Sequence, residues 1–205
     1  MTAEEDDPEQ ESRVRNLEWR REVAPDLFLT PARSLVTSDP EKEQLLAVIE
    51  QAFSGVRLED GVSANMAEYH DSGGTKSRYL ELARSDERDD WRKVGDTTLE
   101  QCSVTLCFTD LKGFRFYVPA YMQYAVRNHD LSDSPIVNAT IYALSPDHHL
   151  FKRVPFEQWF TCEQIRAITM FLEYCVAHSD TLDGVVARKN LERIRQRIGP
   201  TEVSG

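Results

Sequence analysis

Apolar positions along this chain recur mostly at helical spacing. Asp39 stands ahead of Pro40, Glu41 and Glu43, and Leu45, Leu46, Val48, Ile49, Ala52 and Phe53 follow as one stripe before Gly55. That order predicts a helix capped by Asp39, with proline in its first turn, acidic side chains at the positive end of its dipole and glycine at its stop. Ser63 predicts the cap of a short helix over 64–70, and after the Gly73-Gly74 break Tyr79, Leu80 and Ala83 predict another over 75–86. Asp96 reads as the cap of a helix carrying Leu99, Cys102, Ser103 and Leu106. Thr161 and Gln164 have capping-box spacing ahead of Ile165, Ile168, Leu172, Cys175 and Val176. A last, basic helix is expected from Asp183 to Ile198, ended by Gly199-Pro200.

One stretch departs from this period. VNATIYAL, Val137 to Leu144, alternates and is rich in β-branched residues, which predicts a strand. Phe151 to Val154 would pair with it across the turn containing Pro146. The pattern therefore predicts an α+β, mainly helical fold: six or seven helices with one short antiparallel β-hairpin. Residues 39–199 read as a single globular domain and 200–205 as a tail. Residues 1–38 read as an acidic disordered head followed by a packing arm. Leu27, Phe28 and Leu29 are too apolar for a free linker, so the arm is expected to pack on the domain or on another subunit, and homo-oligomerisation through it is one expectation.

The densest segment is GFRFYVPAYMQYAVRNH, Gly113 to His129. Asp110 to Gly113 reads as a turn, and an extended Phe114–Tyr117 would alternate Phe114 and Phe116 against Arg115 and Tyr117. Pro119 then suits the first turn of a helix reaching Arg127. Arg115, the tyrosine hydroxyls and a helix N-terminus at Pro119 suit an anion or a carboxylate-bearing ligand. Upstream, Trp91 stands inside the charged run SDERDDWRKV. It either anchors that run to the domain or walls a pocket shared with the Phe114–Tyr124 segment. The candidate ligand-binding residues are Trp91, Arg92, Arg115, Tyr117, Tyr121 and His129. The competing reading is a plain aromatic core, the usual fate of aromatics at helical spacing.

The same acidic run supplies metal candidates. If it is helical, Asp86 and Asp90 share a face, with Asp89 beside them. The alternative is a mixed-charge helix end with local ion pairs. His148 and His149 are expected in a surface turn, since adjacent rings point apart. The sequence contains no G-x-S-x-G, P-loop, G-x-G-x-x-G or H-E-x-x-H pattern.

Charge narrows the function classes. The 205 residues carry a net charge of -11, which argues against general nucleic-acid binding and suits a basic protein partner. The four cysteines form no C-x-x-C pair and each sits among apolar residues, so they are expected to pack as small hydrophobes. No secretion signal or membrane-length apolar run is legible, and a cytoplasmic location is expected. No cofactor is expected. The leading reading is a soluble binding or interaction domain without catalytic activity, immunity- or adaptor-like. The alternative is a small-molecule-binding or metal-dependent enzyme with its pocket near Trp91, Arg115 and Tyr117.

Four segments, AFSGVRLEDGVSANMAEYHD, DERDDWRKV, LKGFRFYVPAYMQYAVR and FTCEQIRAITMFLEY, resemble a family of uncharacterised bacterial proteins. The resemblance spans residues 45–177 and centres on a DERDDWR … GFRFYxPAYM core. It implies a domain of unknown function and brings no activity, cofactor or partner. The head, residues 1–40, and the basic C-terminal helix depart from the family's pattern.

Overall fold

Asp39 opens the first helix as its position predicts: its Oδ1 accepts the N–H groups of Glu41 and Lys42 at 3.1 and 3.2 Å. This helix, α1 (Pro40–Ala52), buries Leu45 and Ile49, with Phe53 continuing the line at its C-cap. Gly55 then takes a left-handed φ of 75°, and the chain turns away. The computed structural model describes residues 39–131 and 134–199. They belong to the second of two units into which the chain divides, the one beginning at Ser38. The expected acidic head, its packing arm and the 200–205 tail lie outside the described residues.

Nine further α-helices follow among the described residues. They are α2 (Ala64–Ser72), α3 (Lys76–Leu82), α4 (Asp96–Gln101), α5 (Thr105–Phe108), α6 (Leu111–Asn128), α7 (Ile136–Ala143), α8 (Phe156–Trp159), α9 (Cys162–Ala177) and α10 (Gly184–Ile198). Single 3-10 turns stand at Ala83–Ser85, Trp91–Lys93 and His149–Lys152. Helix α6 is the axis of the fold, packed by α1, α4, α5 and α7. Helix α9 lies against α1 and α10, and α10 in turn against α7 and α8. No helix of the described residues is long and apolar enough to cross a membrane.

The aromatic segment corrects the expected turn and extended stretch, because α6 begins at Leu111 rather than at Pro119. The Asp110 carboxylate receives the Gly113 N–H at 2.8 Å and the Val62 N–H at 3.1 Å, which starts the helix and ties it to the chain before α2. Gly113 permits the close approach at this point. A Cβ there would stand 1.8 Å from Thr109 Oγ1 and 2.5 Å from the Val62 carbonyl oxygen. Pro119 sits inside the helix and offers no N–H to the Arg115 carbonyl. Twelve of the eighteen residues are buried, so packing on nearly every side holds α6 together through that lost bond.

The hairpin is overturned, since no strand occurs among the described residues and VNATIYAL forms α7. Its buried positions are Ile136, Val137, Thr140, Ile141 and Ala143, with Leu144 buried at the C-cap, while Asn138 and Tyr142 are exposed. That is a three-to-four spacing superimposed on an alternating one, and packing against α6 selects the helical period. The Thr140 hydroxyl donates to the Ile136 carbonyl at 2.8 Å, and the buried Asn190 of α10 donates to the Ile141 carbonyl at 2.8 Å. The expected pairing strand is replaced at its start by the 3-10 turn His149–Lys152. The count of six or seven helices also falls short, because α7 reads as a strand, the stretch from Asp96 to Leu106 divides into α4 and α5, and α8 is too short to show a period of its own.

The capping box of α9 is present in both directions. Gln164 N–H donates to Thr161 Oγ1, and Thr161 N–H to Gln164 Oε1, each at 3.3 Å. Asp183 caps α10 through the Val186 N–H at 3.0 Å. Asp96 is the first residue of α4 rather than its cap, and its carboxylate pairs with Arg127 at 2.8 Å. The basic face of α10 is largely committed inside the domain: Arg193 meets Asp147 at 2.8 Å, Arg195 meets Glu173, and Arg197 also reaches Asp147.

Candidate functional site

The six residues expected to bind ligand go to four different places. Trp91 is 2% exposed, and its indole N–H donates to the Phe53 carbonyl at 2.9 Å, pinning the 3-10 turn to the end of α1. Tyr117 and Tyr121 point into the core from α6. The Tyr117 hydroxyl accepts the Ala64 N–H at 3.0 Å, and the Tyr121 hydroxyl donates to the Cys102 carbonyl. Burial pushes both phenols well above the usual tyrosine range, so both remain neutral. Arg92 lies on the surface, with its Nε 2.7 Å from Asp90 and a second nitrogen 3.3 Å from Glu50.

His129 ends α6 in a separate cluster. Its ring nitrogens meet the Thr181 hydroxyl at 2.7 Å and the Tyr174 hydroxyl at 2.9 Å. Tyr174 stacks on His178 with ring centres 4.0 Å apart. Burial lowers the affinity of His129 for a proton, against the opposing pull of Asp130 at 3.1 Å, and pushes the Tyr174 phenol up to about 12.

The acidic run is not a helix, so the expected pairing of Asp86 with Asp90 across one turn is absent. The Glu87 carboxylate gathers the N–H groups of Arg88, Asp89 and Asp90 at 3.1, 2.8 and 3.1 Å and curls the chain locally. Asp86 accepts from the backbone and side chain of Asn65 at 3.1 and 2.6 Å, Asp89 pairs with Arg57, and Asp90 caps the turn before Arg92. Among the described residues no group of three or more His, Cys, Asp or Glu is placed to hold a metal ion.

Arg115, the last of the six, lines a groove. It leaves α6 one turn past Lys112, towards the junction of α8 and α9, where Trp159 and Thr161 stand. The loop after α1, from Ser54 to Glu59, closes the other side. The groove holds about 370 Å³, within the size range of small-molecule sites. The guanidinium carbon of Arg115 lies 5.9 Å from the centre of the Trp159 ring, a cation–π distance. Two buried donors, Arg115 Nε and Trp159 Nε1, have no hydrogen-bond partner.

The neighbouring cations are neutralised locally. Arg57 pairs with Asp89, and Lys112 lies 2.9 Å from Glu59 and 2.5 Å from Asp60, which hold its ammonium well above the usual lysine range. Arg115 has no carboxylate partner among the described residues. The α9 N-terminus is already served by its capping box and by Glu163, whose carboxyl is held low by its own backbone N–H and by Thr161. Trp159 escaped the sequence reading. Its signal was modest, an indole two residues ahead of a capping-box threonine.

Two smaller expectations also change. Cys102 and Cys175 are buried, with the Cys102 thiol pushed up to about 12 by burial, but Cys107 and Cys162 are exposed rather than packed as hydrophobes. His148 is half-buried rather than in a surface turn, 5.6 Å from the Phe114 ring, and burial draws its pKa down to about 4.

The family described as "Family of unknown function (DUF6714)" matches residues 41–194, well over half of the chain. The match runs from the first turn of α1 into α10 and so takes in the basic helix as well as the aromatic one. No curated protein and no solved structure matches the chain.

Proposed function

We propose a role read from the groove itself, because the chain belongs to this family of unknown function, whose name carries no activity: a binding domain without catalytic activity, which recognises an oxyanion, carboxylate or phosphate, at Arg115 and Trp159. The observation that carries the reading is that two buried, unpartnered N–H donors belong to neighbouring side chains that line one open groove. Leaving a buried donor unsatisfied costs about 1–3 kcal/mol, and an oxygen acceptor that receives from both recovers that cost. Arg115 adds charge, and its planar guanidinium suits a two-oxygen group better than a point cation does. The indole face beneath it fixes the fork.

A basic protein partner, expected from the net charge, draws no support from this groove, whose uncommitted side chain is itself a cation. Trp91, Tyr117 and Tyr121 serve the reading indirectly, by fixing α6 and the end of α1 on either side of the groove.

The test is the indole N–H resonance of Trp159, followed while the protein is titrated with inorganic phosphate and, separately, with succinate. A downfield, saturable shift in either titration is expected, with none in Arg115→Met, and the stronger anion names the class. A Trp159 resonance that stays still in both titrations, or that moves equally in Arg115→Met, overturns the proposal.

A further inference from the structure

A second groove, sharing no lining residue with the first, lies between the chain before α2 and the end of α3. It holds about 390 Å³, again in the range of small-molecule sites. On its wall is Ser63, 1% exposed, whose hydroxyl has no hydrogen-bond partner.

That vacancy has a local cause. Ser63 occupies the N-cap of α2, where a serine hydroxyl ordinarily accepts the N–H of the second or third helical residue. Here the side chain makes no capping bond. The Asn65 N–H goes instead to Asp86 at 3.1 Å, and the Ala64 N–H to the Tyr117 hydroxyl at 3.0 Å. A capping carboxylate brought in from the acidic run therefore leaves the buried Ser63 hydroxyl without a bond at the groove wall.

The rest of the lining has two characters. Met66, Leu80 and Ala83 form an apolar side, with Leu80 47% exposed although it is a large aliphatic residue. Arg84 lies at the edge and has no carboxylate partner among the described residues. Arg88 is committed elsewhere, its guanidinium donating to the Glu59 and Gly61 carbonyls at 3.0 Å each. Asp60 faces Lys112, and His70 is held on the Phe108 carbonyl at 3.1 Å. The open cation, the free buried hydroxyl and the uncovered leucine thus belong to one groove.

We infer that this groove binds a small amphiphilic carboxylate, its head group between Arg84 and the Ser63 hydroxyl and its apolar body along Met66, Leu80 and Ala83. A carboxylate satisfies the hydroxyl as acceptor and the guanidinium as counter-charge. An aliphatic body covers the side chains that the fold leaves exposed.

Octanoate, below its micelle concentration and with the full chain, is the probe, and backbone amide shifts are the readout. The expected result is saturable movement of the amides of Ser63 to Met66 and Leu80 to Arg84. Arg84→Met should weaken binding about tenfold and Ser63→Ala about fivefold. Arg84 is exposed, so its variant keeps the fold and carries the test should Ser63→Ala unfold. The inference is overturned if octylamine or 1-octanol moves the same amides as strongly, or if both variants bind octanoate as the parent does. It is also overturned if the shifts fall on Trp159 and Arg115, an outcome that would support the first groove and leave this one empty.

Discussion

Two sides of α6 treat their polar atoms in opposite ways. On the side facing α2 and α4, Tyr117 and Tyr121 are buried and each hydroxyl meets a backbone group, the Ala64 N–H in one case and the Cys102 carbonyl in the other. On the side facing α8 and α9, Arg115 keeps a buried N–H without a partner, beside an indole in the same condition. One helix thus carries both a fully bonded aromatic core and an unsatisfied rim. The difference teaches where recognition chemistry is available. A polar atom that closes a bond between elements is part of the scaffold, and one left open at a groove is free for a ligand.

The first way to break the comparison is to remove the scaffold. Trp91→Ala deletes a fully buried indole and its bond to Phe53, and is expected to cost about 3–5 kcal/mol, read as a lower urea midpoint with an unchanged slope. A loss below about 1 kcal/mol would mean that the turn bearing Trp91 is not anchored as described.

Tyr117→Phe is the finer probe of the same side. It keeps the ring and strands the Ala64 N–H, so a loss of about 1–3 kcal/mol is expected. Hydrogen exchange at the Ala64 amide should quicken with it. A neutral Tyr117→Phe would erase the contrast between the two sides of α6.

Acidity tests a third effect. Burial lowers the proton affinity of His129 and His148 in the folded chain below their ordinary value of 6.5. Below pH 6.5 the unfolded chain therefore binds more protons than the folded one, and stability falls as the pH drops. For His148 the fall continues to about pH 4, where the folded state also protonates. The slope is at most about 1.4 kcal/mol per pH unit for each group. His148→Leu should flatten it in pH-dependent thermal melts, and an unchanged slope would remove His148 from the explanation.

The smallest effect on stability is expected on the open side. Arg115→Met removes the unsatisfied N–H but also the guanidinium's contact with the Trp159 ring, two opposing effects of similar size, so its stability should stay within about 0.5 kcal/mol of the parent. The anion response of the Trp159 indole should vanish in the same protein. A strongly destabilised Arg115→Met would class Arg115 with the scaffold.

Some of this was legible along the chain and some was not, for reasons visible in particular residues. Asp39 and the Thr161–Gln164 box predicted their helix starts correctly, because a cap is a contact over two or three residues and needs no distant partner. The inward docking of Trp91 was one of two sequence readings for it, and Arg115 was already a candidate. Val137 to Leu144 carried two periods at once, and only the surface of α6 could select the helical one. The acidic run offered a face of carboxylates if helical, or a mixed-charge stretch with local ion pairs, and Glu87 folds it into a turn in which Asp89 and Asp90 pair with arginines.

The sequence by itself therefore determined the net charge and the dense aromatic segment, together with the caps at Asp39 and Thr161 and most of the helical stripes, which depend on neighbours within a few residues. Tertiary structure alone decided that Trp159 joins Arg115, that Asp86 takes over the cap of Ser63, and that Tyr117 and Tyr121 close backbone bonds. Those contacts join residues far apart in the chain, and burial, which makes a satisfied or an orphaned hydrogen bond count, exists only after the helices have packed.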